Sequence, residues 1–297
     1  MIIETHGLSK QYRRTVAIGG LDLAVPEGRI SGFLGPNGSG KTTTIKILLG
    51  LVHPTAGEAF VFGKPATEDS SSLEIRRRVG YVSEDKRLYQ YMTGQQLLDF
   101  ARPLFPRWSR ERERGLVAAF NLPLHQKFKT FSKGMRSQLA LILALARQPD
   151  LLILDEPSEG LDPIAAEHML EPVVHAAAEG CTVFFSSHQI SEVERIADEV
   201  FIIRDGRLAL NGSLEDLRQN FRRMHFAFPG RAPVEEMSLA GVRKSEADGH
   251  VLSLVADSNF EEITGRASAL GAISANIQSV NLRELFLEVL GTYPEDK

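Results

Sequence analysis

Over the first 34 positions, apolar residues take alternate places in "IIETHGL", "GLDLAVPEG" and "RISGFLG", the period-two pattern of half-buried strands. A glycine-rich stretch follows, and "TTTIKILLG" then switches to helical spacing and stops at Gly50. "GEAFVFG" and "VGYVS" predict two more short strands. From about residue 84 to 148 the strand pattern disappears. Thr93 heads "TGQQLLDFARPLF" and Ser109 heads "SRERERGLVAAF", each a hydroxyl residue in N-cap position before apolar periodicity, and "GMRSQLALILALARQ" is a third helix.

Strand and helix then alternate again. "DLLILD" has the continuous apolar run of a strand buried on both faces. "DPIAAEHMLEPVVHAAAEG" follows, with Asp162 as N-cap, Pro163 at the first helical position and Gly180 at the end. "CTVFFSS" is a strand, "QISEVERIAD" a helix, and "EVFIIRDGRLALNG" a hairpin turning at Asp205-Gly206. The helix "SLEDLRQNF" closes this unit near residue 221. Beyond it lie a strand "RMHFAF", a hairpin around "ADGHVLSLV", a helix "SNFEEITGRASALG", another strand and "NLRELFLEVLG". The expected organisation is an α/β domain over 1–221, with a helical insert at about 85–148, and an accessory α+β module over 222–297.

Composition narrows the class. Of 297 residues 43% are apolar and 24% charged, with a net charge of −4, so no strong electrostatic pull toward nucleic acid is expected. "RWSRERER" at 107–114 alternates Arg with Glu at helical spacing and reads as a solvated helix face. Cys181 is the single cysteine, which excludes an intramolecular disulfide, and its setting suits a small core hydrophobe. The longest apolar run, "LALILALA", is far short of the roughly 20 residues that cross a bilayer. The N-terminus has no signal-peptide pattern, so a cytoplasmic chain is expected, reaching a membrane only through a partner.

Between strand and helix the chain reads "GPNGSGKT": Gly35, Pro36, Asn37, Gly38, Ser39, Gly40, Lys41 and Thr42, fitting G-x-x-x-x-G-K-[ST]. The glycines permit close backbone approach, so successive N–H groups can ring a phosphate at a helix N-terminus. Lys41 is placed to neutralise β/γ oxygens of ATP, and the Thr42 hydroxyl can ligate Mg²⁺. In a doubly wound sheet the carboxylates ending "LLILDEP" arrive at the same edge. Asp155 can then hold Mg²⁺ through its waters, and Glu156 can orient and deprotonate an attacking water.

These motifs together resemble the ATP-binding cassette (ABC) ATPase family over about residues 1–220: a P-loop NTPase cassette with a mixed sheet core, an antiparallel β region and an all-helical insert. The resemblance rests on order. Tyr12 precedes the phosphate loop, as an adenine-stacking aromatic does in that family. "FSKGM" at 131–135 opens a helix where the family carries its signature, although Lys133 and Met135 depart from its commonest Gly and Gln. "SEGLD" at 158–162 matches the dimer-contacting loop, and His188 in "SSHQI" the switch histidine. The family implies two cassettes facing head to tail, with Ser132 and Gly134 of one reaching the γ-phosphate held by the other, and nucleotide contacts extending to Thr43. Each residue also has a plainer reading: Ser132 as an N-cap, His188 as a core histidine, Tyr12 as a strand-end aromatic.

One position departs from the pattern. Where the family carries a glutamine after the strand "GYVS", touching metal and water, this chain has Glu84, a carboxylate that can also bind Mg²⁺ but adds charge beside Asp155 and Glu156. The expected role is the ATP-hydrolysing subunit of a transporter, a homodimer on a separately encoded permease at the inner face of the membrane, exporter-like in its C-terminal extension. The alternatives are a soluble ABC ATPase of repair or translation type and a nucleotide-binding regulator that does not hydrolyse.

Overall fold

The computed structural model describes residues 1–86, 88–280 and 282–290. Two compact units divide between Asn211 and Gly212, ten residues ahead of the expected boundary at 221. The helix at 214–220 thus falls in the second unit.

In the first unit the alternating segments become β1 (Ile3–Tyr12), β2 (Thr15–Val25) and β3 (Ile30–Leu34). The glycine-rich loop leads into α1 (Lys41–Leu48). β4 (Ala56–Val61) and β5 (Lys64–Pro65) complete an antiparallel sheet ordered β2-β1-β4-β5. α2 (Asp69–Arg78) follows, a helix the hydrophobic pattern does not announce, since only Ser72 and Ile75 turn inward. Then come β6 (Val79–Val82) and the helical insert with α3 (Gly94–Ala101), α4 (Arg110–Ala119) and α5 (Lys133–Leu145). β7 (Leu151–Asp155), α6 (Pro163–Ala178), β8 (Thr182–Ser187), α7 (Ile190–Ile196), β9 (Glu199–Arg204) and β10 (Arg207–Ser213) finish the alternation.

The second sheet is ordered β10-β9-β3-β8-β7-β6, with β9, β3, β8, β7 and β6 parallel. α1 lies in one core with both sheets: Ile45, Ile47 and Leu48 meet Leu21, Val61, Leu151 and Phe184 in a single buried cluster. Each fully buried aliphatic side chain there contributes about 1.5–3 kcal/mol relative to exposure.

The insert has its own apolar centre, with Leu97 and Leu98 of α3 against Phe128, Phe131, Leu139 and Ile142. Capping begins its helices as expected. Thr93 and Gln96 form a reciprocal capping box on α3, and Ser109 accepts from Arg112 N on α4. The expected solvated face of α4 needs one correction. Glu113 is buried and takes hydrogen bonds from Arg102 and from Trp108 Nε1, so the Arg/Glu alternation hides one internal acid.

The second unit contains α8 (Leu214–Asn220), β11 (Arg222–Ala227), β12 (Val242–Asp248), β13 (Val251–Ala256), α9 (Phe260–Ala269), β14 (Ser274–Ser279) and α10 (Leu282–Leu290). Its sheet, ordered β12-β13-β11-β14, is wholly antiparallel, and Met224, Phe226, Leu252 and Leu254 pack on Ile263 and Ala267 of α9. Gly291, closing the segment "NLRELFLEVLG", lies outside the described residues.

Candidate nucleotide site

β3, β8 and β7 are adjacent and parallel, so their carboxyl ends deliver three loops to one place. From β3 comes the phosphate loop. Gly40 is left-handed at φ +107°, and a Cβ there would lie 2.4 Å from the Ala17 carbonyl oxygen. A Cβ on Gly35 would lie 2.5 Å from the Ile203 carbonyl oxygen. Any side chain at either place would push the loop out of shape. No side chain caps α1, whose first-turn N–H groups therefore face the loop as an anion-binding end.

Lys41 is buried and folds back. Its Nζ donates to Gly35 O at 2.6 Å and Pro36 O at 3.2 Å, and stands 3.1 Å from Glu156 Oε1. That last contact is a buried ion pair. Thr42 Oγ1 donates to Asp155 Oδ1 at 3.1 Å, and Ser186 Oγ donates to the same oxygen at 2.7 Å.

β7 ends at Asp155 and Glu156 follows it, both buried but pushed in opposite directions. Burial pushes the Asp155 carboxyl above its ordinary value against the pull of Ser186 and Thr42. Burial, the largest influence on Glu156, acts the same way, but the hydrogen bond from His188 and the charge of Lys41 outweigh it and hold Glu156 low. His188 Nδ1 lies 2.8 Å from Glu156 Oε2, a bond that raises the imidazole above its usual value. The acid itself sits at φ +47°, a left-handed conformation that costs a residue with a side chain about 1–3 kcal/mol. Three contacts hold it there: its N–H donates to Ser186 Oγ at 3.1 Å and to Ser186 O at 3.2 Å, and its carbonyl accepts from buried Lys86 Nζ at 3.2 Å.

Around these groups opens a cleft of about 350 Å³, walled by Tyr12, Asn37, Thr43, Glu84, Glu156 and His188 among others. A cleft of about 570 Å³ also opens between α4, α5 and α6, but neither the phosphate loop nor the paired acids reach it. Chemistry rather than size therefore picks out the smaller one. Tyr12 is 44% exposed at the end of β1, with Lys10 Nζ 5.0 Å from its ring centroid. Partial burial, then the charge of Asp155, raises the Glu84 carboxyl. Ser132 and Gly134 lie outside the cleft, at the start of α5, where Ser132 Oγ accepts from Met135 N as an N-cap.

The donor set suits Mg²⁺. Asp155 Oδ2 is buried with no hydrogen-bond partner, beside the Thr42 hydroxyl, and both supply hard oxygen. No cluster of three or more His, Cys, Asp or Glu among the described residues holds a metal alone. Phosphate oxygens would thus have to complete the shell, as is usual for this ion.

A profile of the ABC transporter family matches residues 18–159. An uncharacterized ABC transporter ATP-binding protein of Nostoc sp. (strain PCC 7120) is 37% identical over 230 residues, spanning 73% of this chain and 68% of the relative. The chain belongs to the ABC transporter ATP-binding family. The cassette is also 33% identical to the daunorubicin/doxorubicin resistance ATP-binding protein DrrA of Streptomyces peucetius, across 99% of this chain and 94% of that one. Among solved structures it is similar to the ATP-binding subunit of an ABC transporter, at TM-score 0.66 and 31% identity over 74% of this chain and 92% of that one. A dimeric bacterial ABC transporter cassette shares the fold at TM-score 0.65 and 24% identity, over 71% and 98%.

Sequence reasoning missed several of the residues that hold the cassette's site together. Ser186 grips Asp155 and the Glu156 backbone at once, and "SSH" after an apolar strand was the available sign. Glu159 stands in the cleft wall. Lys86 gave no signal, because its contact with Glu156 depends on the fold of a loop 70 residues away.

Proposed function

We propose that this cassette hydrolyses ATP as one of a pair and drives a separately encoded exporting permease. The observation that carries the reading is the cluster of Lys41, Glu156 and His188 beside the phosphate loop. ATP enters with adenine on the open face of Tyr12 and its phosphates in the loop of Gly35–Thr43. Lys41 leaves the carbonyls of Gly35 and Pro36 for the β/γ oxygens, exchanging neutral acceptors for charged ones. Thr42 and Asp155, with Glu84 also in the cleft wall, would hold Mg²⁺, which would supply positive charge against the phosphates. Glu156 accepts the proton of the attacking water as general base. His188 gives up its bond to Glu156 and turns to the γ-phosphate.

The head-to-tail arrangement explains why Ser132 and Gly134 stand apart from this cleft: they serve the ATP of the other copy. On this reading the permease docks on the helical insert, where Tyr89, Phe100 and Leu104, each about half-exposed, line a groove of about 200 Å³ and Tyr91 is more open still. No helix among the described residues is long and apolar enough to cross a membrane, so attachment to the inner face runs through that partner. Export is supported by the DrrA likeness, which includes the second unit, and by 36% identity to a bacitracin transport ATP-binding protein of Enterococcus faecalis over 75% of this chain and 72% of that one. The second unit is on this reading an accessory module.

Glu156→Gln tests the core of the proposal. Turnover should fall by about 100-fold or more while ATP still binds, and size-exclusion chromatography with ATP and Mg²⁺ should show a stable dimer. A monomer that hydrolyses at the wild-type rate would overturn both the base and the shared site.

A further inference from the structure

Glu192 is a buried carboxylate outside the nucleotide cleft, 6% exposed, in the first turn of α7. A first-turn acid that merely favours a helix dipole stays in solvent; this one is enclosed, and both its oxygens are taken. Oε1 accepts from the hydroxyl of Ser158, and Oε2 accepts from Ser187 Oγ at 2.7 Å. Ser158 follows Glu156 and Pro157 on the loop that heads toward residue 162, and Ser187 is the residue before His188. Ser187 Oγ also accepts from Gln189 N at 2.9 Å, which fixes the turn on the far side of the histidine.

The helix bearing Glu192 is closely packed at that point. A Cβ on Gly32 of β3 would stand 2.7 Å from Val193 Cγ1, so α7 presses directly on the central strand. The ends of β7 and β8 are joined at three places. Ser186 holds Asp155 and the Glu156 backbone at the strand ends. In the cleft, Glu156 Oε2 meets both the ring Nδ1 and the backbone N–H of His188, and on the hydrolytic reading the ring bond opens when His188 turns to a phosphate. The third join runs behind these through Glu192, outside the lining of the nucleotide cleft.

We propose that Glu192 is a positioning residue that keeps His188 in register with Glu156 once nucleotide has broken their direct bond. The inference rests on the hydrolytic reading above. The bridge also joins the loop that begins at Ser158 to Ser187, the residue before His188.

Steady-state ATP hydrolysis by the full chain, with a melting temperature for each variant, tests it. Glu192→Ala should lower kcat by about tenfold or more with KM for ATP changed less than about twofold, since the phosphate loop is untouched. Glu192→Gln should recover to within about threefold of wild type, because its amide offers one acceptor and one donor to hydroxyls that can do either. Ser158→Ala should lower kcat as well, and the Ser158→Ala/Glu192→Ala double variant should be no slower than Glu192→Ala, as expected for one shared interaction. Wild-type kcat in Glu192→Ala overturns the proposal, as does an additive double variant or a loss in Gln equal to that in Ala. If Glu192→Ala does not fold, Ser158→Ala and Ser187→Ala decide, and unchanged kcat in both overturns it. A wild-type chain without turnover sinks the hydrolytic reading instead.

Discussion

The floor of the nucleotide cleft and the outer surface of the helical insert are built on opposite terms. On the floor, Lys41, Asp155 and Glu156 are nearly inaccessible and each is held by two or more neighbours. On the insert, Tyr89, Tyr91, Phe100 and Leu104 lie at or above 48% exposure, and two of the three rings rest edge-on against each other. Catalytic groups must have one geometry before substrate arrives, so their polar atoms are satisfied or reserved. Groups that meet a partner need area and shape, and stay open until the partner covers them. Leu88 and Met92, from the same stretch as Tyr89 and Tyr91, pack inward on the insert's centre and belong to neither class.

Substitution can separate the two regions. Lys41→Ala should have the largest effect, removing ATP binding and hydrolysis together. Charge-assisted hydrogen bonds are worth about 1.5–3 kcal/mol each, so losing two phosphate contacts lowers affinity by at least about 100-fold. Isothermal titration with a non-hydrolysable ATP analogue checks this, and unchanged affinity would remove the phosphate-loop assignment. Tyr91→Glu and Phe100→Glu should leave ATPase activity of the isolated chain within about twofold, because exposed substitutions seldom move a fold by more than ~0.5 kcal/mol, yet abolish co-purification with the permease. Equal loss in both assays would make these side chains part of the fold.

The smallest expected effect lies where the regions join, at Glu84. Its carboxyl titrates above the ordinary range, and a protonated carboxyl is a poor metal ligand. Lowering pH should therefore raise the Mg²⁺ concentration needed for half-maximal turnover, beginning at a higher pH than an ordinary glutamate would allow. Glu84→Gln should flatten that dependence with turnover retained. Superimposable Mg²⁺ titrations at several pH values would leave Glu84 as a bystander at the cleft edge.

Much of this contrast was legible in the chain itself, for physical reasons that differ by element. The parallel strands announce themselves because burial on both faces demands continuous apolar runs, as in "LLILD" and "TVFFSS". The phosphate loop is readable because its backbone shape admits only glycine where Cβ would strike Ala17 and Ile203. α2 escaped notice because a ten-residue helix with two inward residues has almost no apolar stripe. Glu113 was misplaced on the surface because period alone cannot tell an acid facing water from one facing Arg102 and Trp108. Lys86, Ser186 and Glu192 stayed hidden for a shared reason: each has a partner at least 30 positions away, a relation only the fold creates.

The single thiol has a practical consequence. Cys181 leads into β8 almost wholly buried, and burial pushes its pKa up to about 11. Burial and a scarce thiolate should therefore make the native chain react poorly with maleimides and thiol-directed spin labels. A cysteine placed at Tyr91 or Leu104 would be the only one to take a probe, and distances between probes on two copies, with and without ATP, would report how far the insert travels in each cycle.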